Sequence, residues 1–305
     1  MKKLYSIIIC FLAGSYLYGQ SGYQANQYMF NHQLINPAYS GKDYKIKGAL
    51  LINQQLTGIE SSPSLKAFSL SAPIRLSKAS LGITYTNFTY GVQTNSEIYA
   101  VYSYRVPMKK WSLVYGLQGG MVSMAQTNSK LKTGQSGDEQ FKTNYSGMEY
   151  NFGAGIYIFN KNSFFSVSAP AWFQHEFTSS SNIERKYRRD KMPVFISAGY
   201  EHRVNKNWWI DPYCLIRAYP NGRMMADLNL IFDYKNTFWV GPSYKTNSQM
   251  GGIVGFKLNK YLKLNYAFGI SQQFRKGFIG SANEVSLVFM IKDKLNTDAI
   301  SPRLF

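Results

Sequence analysis

The sequence shows its fold most clearly in the stretch "LKLNYAFGI", Leu262 to Ile270. The positions between its apolar residues hold a lysine, an asparagine and two small residues. Successive side chains of a β-strand point to opposite faces, so this period of two residues predicts a strand with one apolar and one polar or small face. The apolar face consists of Leu262, Leu264, Tyr266, Phe268 and Ile270.

The same period recurs along the chain, as in "KWSLVYGLQGGM" (110–121), "MMADLNLIFDY" (224–234) and "EVSLVFMI" (284–291). Each run lasts about ten residues, which is the length that a tilted strand needs to cross a membrane. Beyond the N-terminal region, no apolar run reaches the roughly 18 residues of a membrane helix. We expect fourteen strands, near 44–56, 64–74, 79–91, 95–107, 110–126, 146–160, 163–175, 192–204, 207–219, 222–234, 236–247, 249–259, 261–273 and 282–292.

The connections between these strands alternate in kind. After every second strand the turn is tight and carries lysine, as at Lys161, Lys206, Lys235 and Lys260, whereas the other connections include the long segments 127–145 and 176–190. Short periplasmic turns and long outer loops are typical of outer-membrane barrels. We therefore predict an all-β fold, a transmembrane antiparallel β-barrel of about 14 strands in contact with outer-membrane lipid and lipopolysaccharide. Aromatic residues near strand ends suit its interfacial girdles: Tyr44, Tyr90, Trp111, Trp172, Trp208, Trp209 and Trp239.

The first residues, "MKKLYSIIICFLAGSYLYGQ", have two lysines, then an apolar run, then small residues. This order predicts a secretory signal peptide, which we place at 1–19. An N-terminal segment (20–43), the barrel (44–293) and a C-terminal periplasmic tail (294–305) follow. Removal of the signal takes Cys10 with it and leaves Cys214 as the single cysteine, so we expect no intrachain disulfide.

The formal net charge of +18 would by itself fit a nucleic-acid-binding protein. However, the lysines are spread over predicted turns and inner strand faces of an exported chain, so no nucleic-acid partner is expected. The three histidines, His32, His175 and His202, have no metal-binding spacing, and we expect no metal site. Because no motif marks a nucleophile or a nucleotide loop, the sequence indicates no enzyme, no catalytic residue and no cofactor.

The segment ahead of the first strand reads "NQYMFNHQLINPAYSG" (26–41). It resembles the N-terminal signature of the PorP/SprF family of Bacteroidetes, in which Gln-Tyr-Met-Phe-Asn is followed by Asn-Pro-Ala-Tyr and a Gly. "INQQLTGIESSPSLKAFSLSAPI" (52–74) and the stretch 185–217 resemble later parts of the same family. One departure is His32, which stands where the family usually has proline. The resemblance implies an outer-membrane component of the type IX secretion system, needed for export or surface attachment of a partner adhesin of the gliding type.

An even-stranded barrel has both termini at the periplasmic side, so the segment 26–41 must lie in the periplasm, under the barrel or inside its lumen. Its amides can satisfy a polar lumen and its aromatic rings can anchor it by burial. We interpret it either as a plug that only seals the barrel or as a docking element for secretion partners. The candidate partner-binding residues are Gln27, Tyr28, Met29, Phe30, Asn31, Asn36, Pro37, Tyr39 and Gly41.

The run "RKYRRDK" (185–191) falls in a predicted outer loop. Its basic side chains would face anionic lipopolysaccharide or contact an adhesin, through Arg185, Lys186, Arg188 and Arg189. The alternative function for the whole chain is an outer-membrane diffusion channel or hydrophobic-solute transporter, because a barrel of this strand number can enclose a pathway.

Overall fold

The computed structural model describes residues 25–43, 45–74, 77–130, 144–177, 183–186, 192–246, 249–273 and 278–292. The first seven strands are β1 (Lys45–Gln55), β2 (Ser64–Pro73), β3 (Ala79–Tyr90), β4 (Gln93–Pro107), β5 (Ser112–Gln126), β6 (Tyr145–Phe159) and β7 (Ser163–Ala169). A short hairpin follows, β8 (Gln174–Phe177) and β9 (Ile183–Lys186). The remaining strands are β10 (Val194–Tyr200), β11 (His202–Arg203), β12 (Trp208–Ala218), β13 (Met224–Tyr234), β14 (Phe238–Lys245), β15 (Gln249–Lys257), β16 (Leu262–Gln273) and β17 (Phe278–Lys292).

The sheet closes on itself. Each strand pairs antiparallel with its neighbour in the sheet, β10 pairs with both β7 and β12, and β1 pairs with β17 from Lys45↔Lys292 to Gln55↔Ala282. The strands β10 and β11 are two parts of one position, separated by Glu201, so the described chain forms a barrel of fourteen positions. Closure gives every strand two partners, which is what a sheet in hydrocarbon requires.

The alternation expected from the sequence is present in the wall. Outward positions are exposed, as at Leu117 (57%) and Tyr150 (62%), whereas the inward Asn265 is 0% exposed. In β16, Leu264 faces outward and its neighbour Asn265 faces the lumen, as the pattern of "LKLNYAFGI" predicted. A one-residue slip of register would exchange the two faces, so the observed burial confirms the register.

Six tight turns lie at the end of the barrel where β1 begins. All six carry lysine, at Lys78, Lys109, Lys110, Lys161, Lys206, Lys235 and Lys260. By the rule for outer-membrane barrels this end is the periplasmic one. Within the described ranges, no helix has the length and apolarity to cross a membrane.

The structure differs from the sequence prediction mainly after β7. The predicted strand 163–175 ends at Ala169, because Pro170 has no N–H to continue a ladder. The predicted outer loop 176–190 holds part of the β8–β9 hairpin, which pairs apart from the barrel sheet. The last strand begins at Phe278 rather than at residue 282. The signal peptide (1–19) and the tail (294–305) lie outside the described residues.

Candidate functional site: the plug inside the barrel

The segment Asn26–Lys42, here called the plug, lies inside the lumen. It consists of three short 3-10 helices, η1 (Tyr28–Phe30), η2 (His32–Leu34) and η3 (Pro37–Gly41), and every one of its residues is buried. The third helix starts as the sequence dictates: the Asn36 side chain accepts a hydrogen bond from Ala38 N, and Pro37 stands at the first helical position. Of the three locations left open by the sequence, the structure therefore shows the lumen.

The first residues of the plug are held by the carboxylate of Glu284 on β17. Asn26 N and Gln27 N donate to its two oxygens at 2.8 and 2.7 Å, and Asn53 Nδ2 on β1 donates at 2.6 Å. Asn53 lies eight positions from the start of β1, roughly 20 Å above the tight turns for a tilted strand. The plug thus begins high in the lumen and runs down towards the periplasmic end.

A chain of side-chain hydrogen bonds continues from Gln27 across the wall. Ser286 Oγ donates to Gln27 Oε1 at 2.8 Å, Asn265 Nδ2 donates to Ser286 Oγ at 3.0 Å, and Trp239 Nε1 donates to Asn265 Oδ1 at 3.0 Å. The prediction that Trp239 belongs to an interfacial girdle is therefore wrong. It is 0% exposed, and its inward position on β14 gives the indole N–H the partner that a buried tryptophan needs.

Tyr28 connects the plug to β13 beside a buried ion pair. Its hydroxyl accepts from Asn229 Nδ2 at 3.2 Å and donates to the Asp227 carbonyl at 3.4 Å. The Asp227 carboxylate in turn pairs with Arg217 at 2.9 Å and lies 4.0 Å from Lys245 Nζ. The carboxylate of Asp227 and the guanidinium of Arg217 compensate each other's charge at this buried position, with the ammonium group of Lys245 beside them.

On the opposite side of the lumen the wall is lined with glycine where the plug touches it. A Cβ added to Gly116 would collide with the backbone of Ala38, and one added to Gly155 would collide with Asn36 Oδ1. Asn36 Nδ2 donates to the Ile156 carbonyl at 3.1 Å. Glycine therefore allows the plug backbone to lie directly against the sheet.

His32 lies at the centre of an aromatic cluster. Its ring centroid is 5.6 Å from that of Tyr28, 5.2 Å from Tyr39 and 5.0 Å from Phe164, and Nε2 is 3.4 Å from Ser197 Oγ. Burial, reinforced by the charges of Lys42 and Lys47, lowers the pKa of His32 to about 3. The imidazole is therefore neutral at physiological pH and acts as a packing ring.

The lower end of the plug is fixed to β4. Arg105 Nε donates to the Gly41 carbonyl at 3.0 Å, and Ser40 Oγ donates to Ser103 Oγ at 2.9 Å. The ammonium group of Lys47 stands over the Tyr39 ring at 4.6 Å from its centroid. Both ends of the plug are thus attached to the wall by polar contacts.

A second segment, Pro170–Phe173, turns inward after β7. Gln118 Nε2 donates to the Pro170 carbonyl at 2.7 Å, and Asn151 Nδ2 donates to the Phe173 carbonyl at 2.9 Å. Asn151 Oδ1 accepts from the backbone N–H groups of Trp172 and Phe173 at 3.0 and 3.1 Å. The loop side of the lumen is therefore narrowed by Pro170–Phe173, the part of this outer connection that follows β7.

The nine plug residues selected from the sequence come together in the lumen, and each of them is buried. Arg185 and Lys186 lie on β9, outside the barrel sheet, whereas Arg188 and Arg189 lie outside the described residues. The sequence analysis missed Glu284, although an acid on the inner face of the alternating run "NEVSLVF" was a usable signal for a lumen contact.

A closed fourteen-position barrel whose lumen is filled by its own N-terminal segment defines the class of protein, an outer-membrane β-barrel. The toluene transporter TodX of Pseudomonas putida shares the fold, with a TM-score of 0.50, 10% identity and coverage of 92% of this chain and 100% of that one. A FadL homologue of Pseudomonas aeruginosa has a TM-score of 0.48 and 11% identity, and the match covers 92% of this chain and 96% of the homologue. Omp33 of Acinetobacter baumannii has a TM-score of 0.48 and 8% identity, and the match covers 82% of this chain and 99% of Omp33.

A sequence model described as "Type IX secretion system membrane protein PorP/SprF" matches residues 18–291. The chain belongs to this family, as the resemblance of "NQYMFNHQLINPAYSG" predicted. A comparison with curated proteins gave no significant match. Family and fold place the chain in the bacterial outer membrane, among the membrane proteins of type IX secretion.

Proposed function

We propose that this barrel serves type IX secretion as a docking component for a partner adhesin of the gliding type, needed for its export or its attachment to the cell surface. The observation that carries the proposal is the plug, which bears the family signature and is buried from Asn26 to Lys42. A lumen filled in this way leaves the cargo no ready passage, so the barrel acts as a receptor beside the conduit. The proposal assigns no catalytic step and no cofactor to the chain.

Two surfaces are available to partners in this scheme. The outer connections, including Arg185 and Lys186 on β9, face lipopolysaccharide and the adhesin. The plug residues, from Gln27 to Gly41, become available to a secretion component only when the plug leaves its seat. Signature residues with buried contacts would then have two tasks, sealing the barrel at rest and binding a partner after release.

The test replaces Tyr28, Phe30 and Asn36 together with alanine. These changes remove two rings that are each 1% exposed, as well as the Asn36 contact with Ile156, so we expect the plug to leave its seat. Heat-modifiability on a gel reports the barrel, and labelling of surface adhesin on the same cells reports function. If the plug contacts the partner, the barrel still assembles and gives a folded, heat-modifiable band while the adhesin is lost from the surface.

A matched control replaces three outward-facing side chains of similar size with alanine, namely those of Tyr85, Leu117 and Tyr150. Loss of the folded barrel band together with the adhesin in the plug variant would reduce the segment to a seal. Wild-type results in both assays would overturn the proposal. Single-channel conductance of the purified wild-type barrel separates the alternative, because a diffusion channel or solute transporter with a lasting open pathway would conduct with the plug in place.

A further inference from the structure

The outer face of the barrel contains one row in which the wall is interrupted twice. The register places Pro212 opposite Leu230 and Pro242 opposite Gly252, and its continuation places Tyr200 opposite Pro212. These residues therefore form a single row across β10, β12, β13, β14 and β15. Two prolines in one row are notable, because proline cannot donate to a ladder and is seldom found inside a sheet.

Each proline coincides with a break in a ladder. The β10–β12 pairing ends at Gly199↔Tyr213 and resumes, as β11, only at His202↔Ile210. The β13–β14 pairing skips from Asn229↔Ser243 to Phe232↔Val240. The other barrel ladders run without a skip in the part of the chain that the structure describes. The described strands therefore lack ladder pairs on two seams at one height.

A groove of about 800 Å³ lies over this row. Small side chains and proline rings form parts of its floor, at Ala198, Cys214, Pro212 and Pro242. Larger side chains line its middle, at Leu228, Leu230 and Tyr244, and stand at its rim, at Tyr200 and Met250. None of the described residues that line it is charged. The groove therefore offers an aliphatic group contact on several sides and no ionic partner.

The face that carries the groove meets hydrocarbon, because even-numbered residues of these strands point away from the lumen and the family is an outer-membrane one. We propose that the groove is a binding site for one acyl chain of a membrane lipid, which stays with the barrel as a resident lipid. A concave apolar surface contacts an acyl chain on more sides than the convex wall does. Dispersion therefore favours a lipid chain in the groove over one elsewhere around the barrel.

The test uses the full barrel in phospholipid vesicles that contain a small share of a phospholipid with a photoreactive diazirine on its acyl chain. After irradiation, mass spectrometry of peptides measures the label per outward residue. We expect at least about a threefold excess of label on the peptides of β12 and β13 over those of β3 and β4, because a lined groove holds the chain longer than the open wall.

Two variants should reduce this excess. Ala198→Phe fills the floor, and Met250→Ala removes a rim side chain that is 62% exposed. The matched control is Ala100→Phe, which adds the same ring to an outward position on β4. Heat-modifiability shows that each variant has a folded barrel; if Ala198→Phe fails to fold, Met250→Ala decides.

Even labelling of the outer face, or an excess that Ala198→Phe and Met250→Ala leave unchanged, would overturn the proposal. A second outcome would do so as well: weak lipid label in the groove together with a protein that crosslinks there when the barrel is irradiated in native membranes. That protein would be the occupant, and the groove would be an interface within the membrane.

Discussion

The two sides of the lumen hold the plug in different ways. On the side of β5 and β6 the wall presents glycine, and the plug backbone rests against the sheet at Gly116 and Gly155. On the side of β13 and β17 the wall presents long polar side chains, such as Asn229 and Glu284, which form hydrogen bonds to the plug. The first side selects the plug by shape and the second by directed bonds.

The difference shows how one inner face can hold an irregular segment. Where the plug backbone lies directly against the sheet, even one added carbon on a wall glycine must displace atoms of the plug. A side-chain hydrogen bond tolerates small shifts and loses about 1–3 kcal/mol when one partner is removed. Substitutions on the glycine side should therefore have larger effects than those on the polar side.

The largest effect is expected for Gly116→Val. The new side chain would occupy the space of the Ala38 backbone, and we expect the plug to lose its seat at a cost of about 3 kcal/mol, the upper end for overpacking. The free energy of unfolding in urea and the single-channel conductance measure the two consequences. Gly252→Val is the control, because an added Cβ there meets only the Gly241 carbonyl at 3.8 Å. Equal effects of the two valines would contradict the assignment of the glycine side to backbone contact.

The second effect concerns pH and His32, which lies between the two sides. Its pKa is about 3 in the plug and 6.5 as the ordinary value, so the unfolded chain binds the proton more readily at intermediate pH. The contribution of neutral His32 to the free energy of unfolding is fully present above pH 6.5. It falls as the pH drops from there towards 3, by up to about 1.4 kcal/mol per pH unit. Urea unfolding between pH 7 and 4.5 measures this slope. The charged groups acting on the ring are Lys42 and Lys47.

His32→Asn is the matched variant, because it keeps a polar side chain without a titration in this range. It should show a smaller slope than the wild type, and the remaining slope belongs to carboxylates elsewhere. Identical slopes for the two proteins would mean that His32 is accessible to protons, in disagreement with its 1% exposure.

The smallest of the three effects is expected for Glu284→Gln on the polar side. The amide keeps one acceptor oxygen but presents N–H groups where Asn26 N or Gln27 N donates, so about 2 kcal/mol should be lost. Urea unfolding of the variant and of the wild type measures the change. If Glu284→Gln proved costlier than Gly116→Val, the polar side would be the main holder of the plug.

The wall could be predicted from the sequence because its physics is local. A strand in lipid must alternate, so "LKLNYAFGI" fixed both the element and its faces. The predicted strands agree with the structure to within a few residues, except where Pro170 ends β7. Trp239 was misplaced because an aromatic residue near a strand end fits a girdle and a lumen equally well; only its partner Asn265, on another strand, decides.

The plug could be predicted as a segment but not as a structure. Its amides and rings indicated burial against a polar surface, and the signature indicated the family. The seating of its three 3-10 helices in the lumen depends on contacts with strands more than a hundred residues away, as between Asn36 and Ile156 or Ser168 and Ile35. No local period encodes such contacts: the alternation could indicate that Glu284 faces the lumen, but neither its bonds to the plug nor the seating glycines could be assigned from the sequence alone.

Glu284 also couples the completion of the barrel to its filling. Its carboxylate binds Asn53 across the β1–β17 seam and the two plug amides at the same time, so the start of the plug and the last strand meet at one point. With the plug seated, two backbone amides of the plug and Asn53 on the neighbouring strand satisfy this carboxylate together. In a barrel that closed around an empty lumen, water would have to replace the two plug amides, so the closing seam and the plug share one anchoring point.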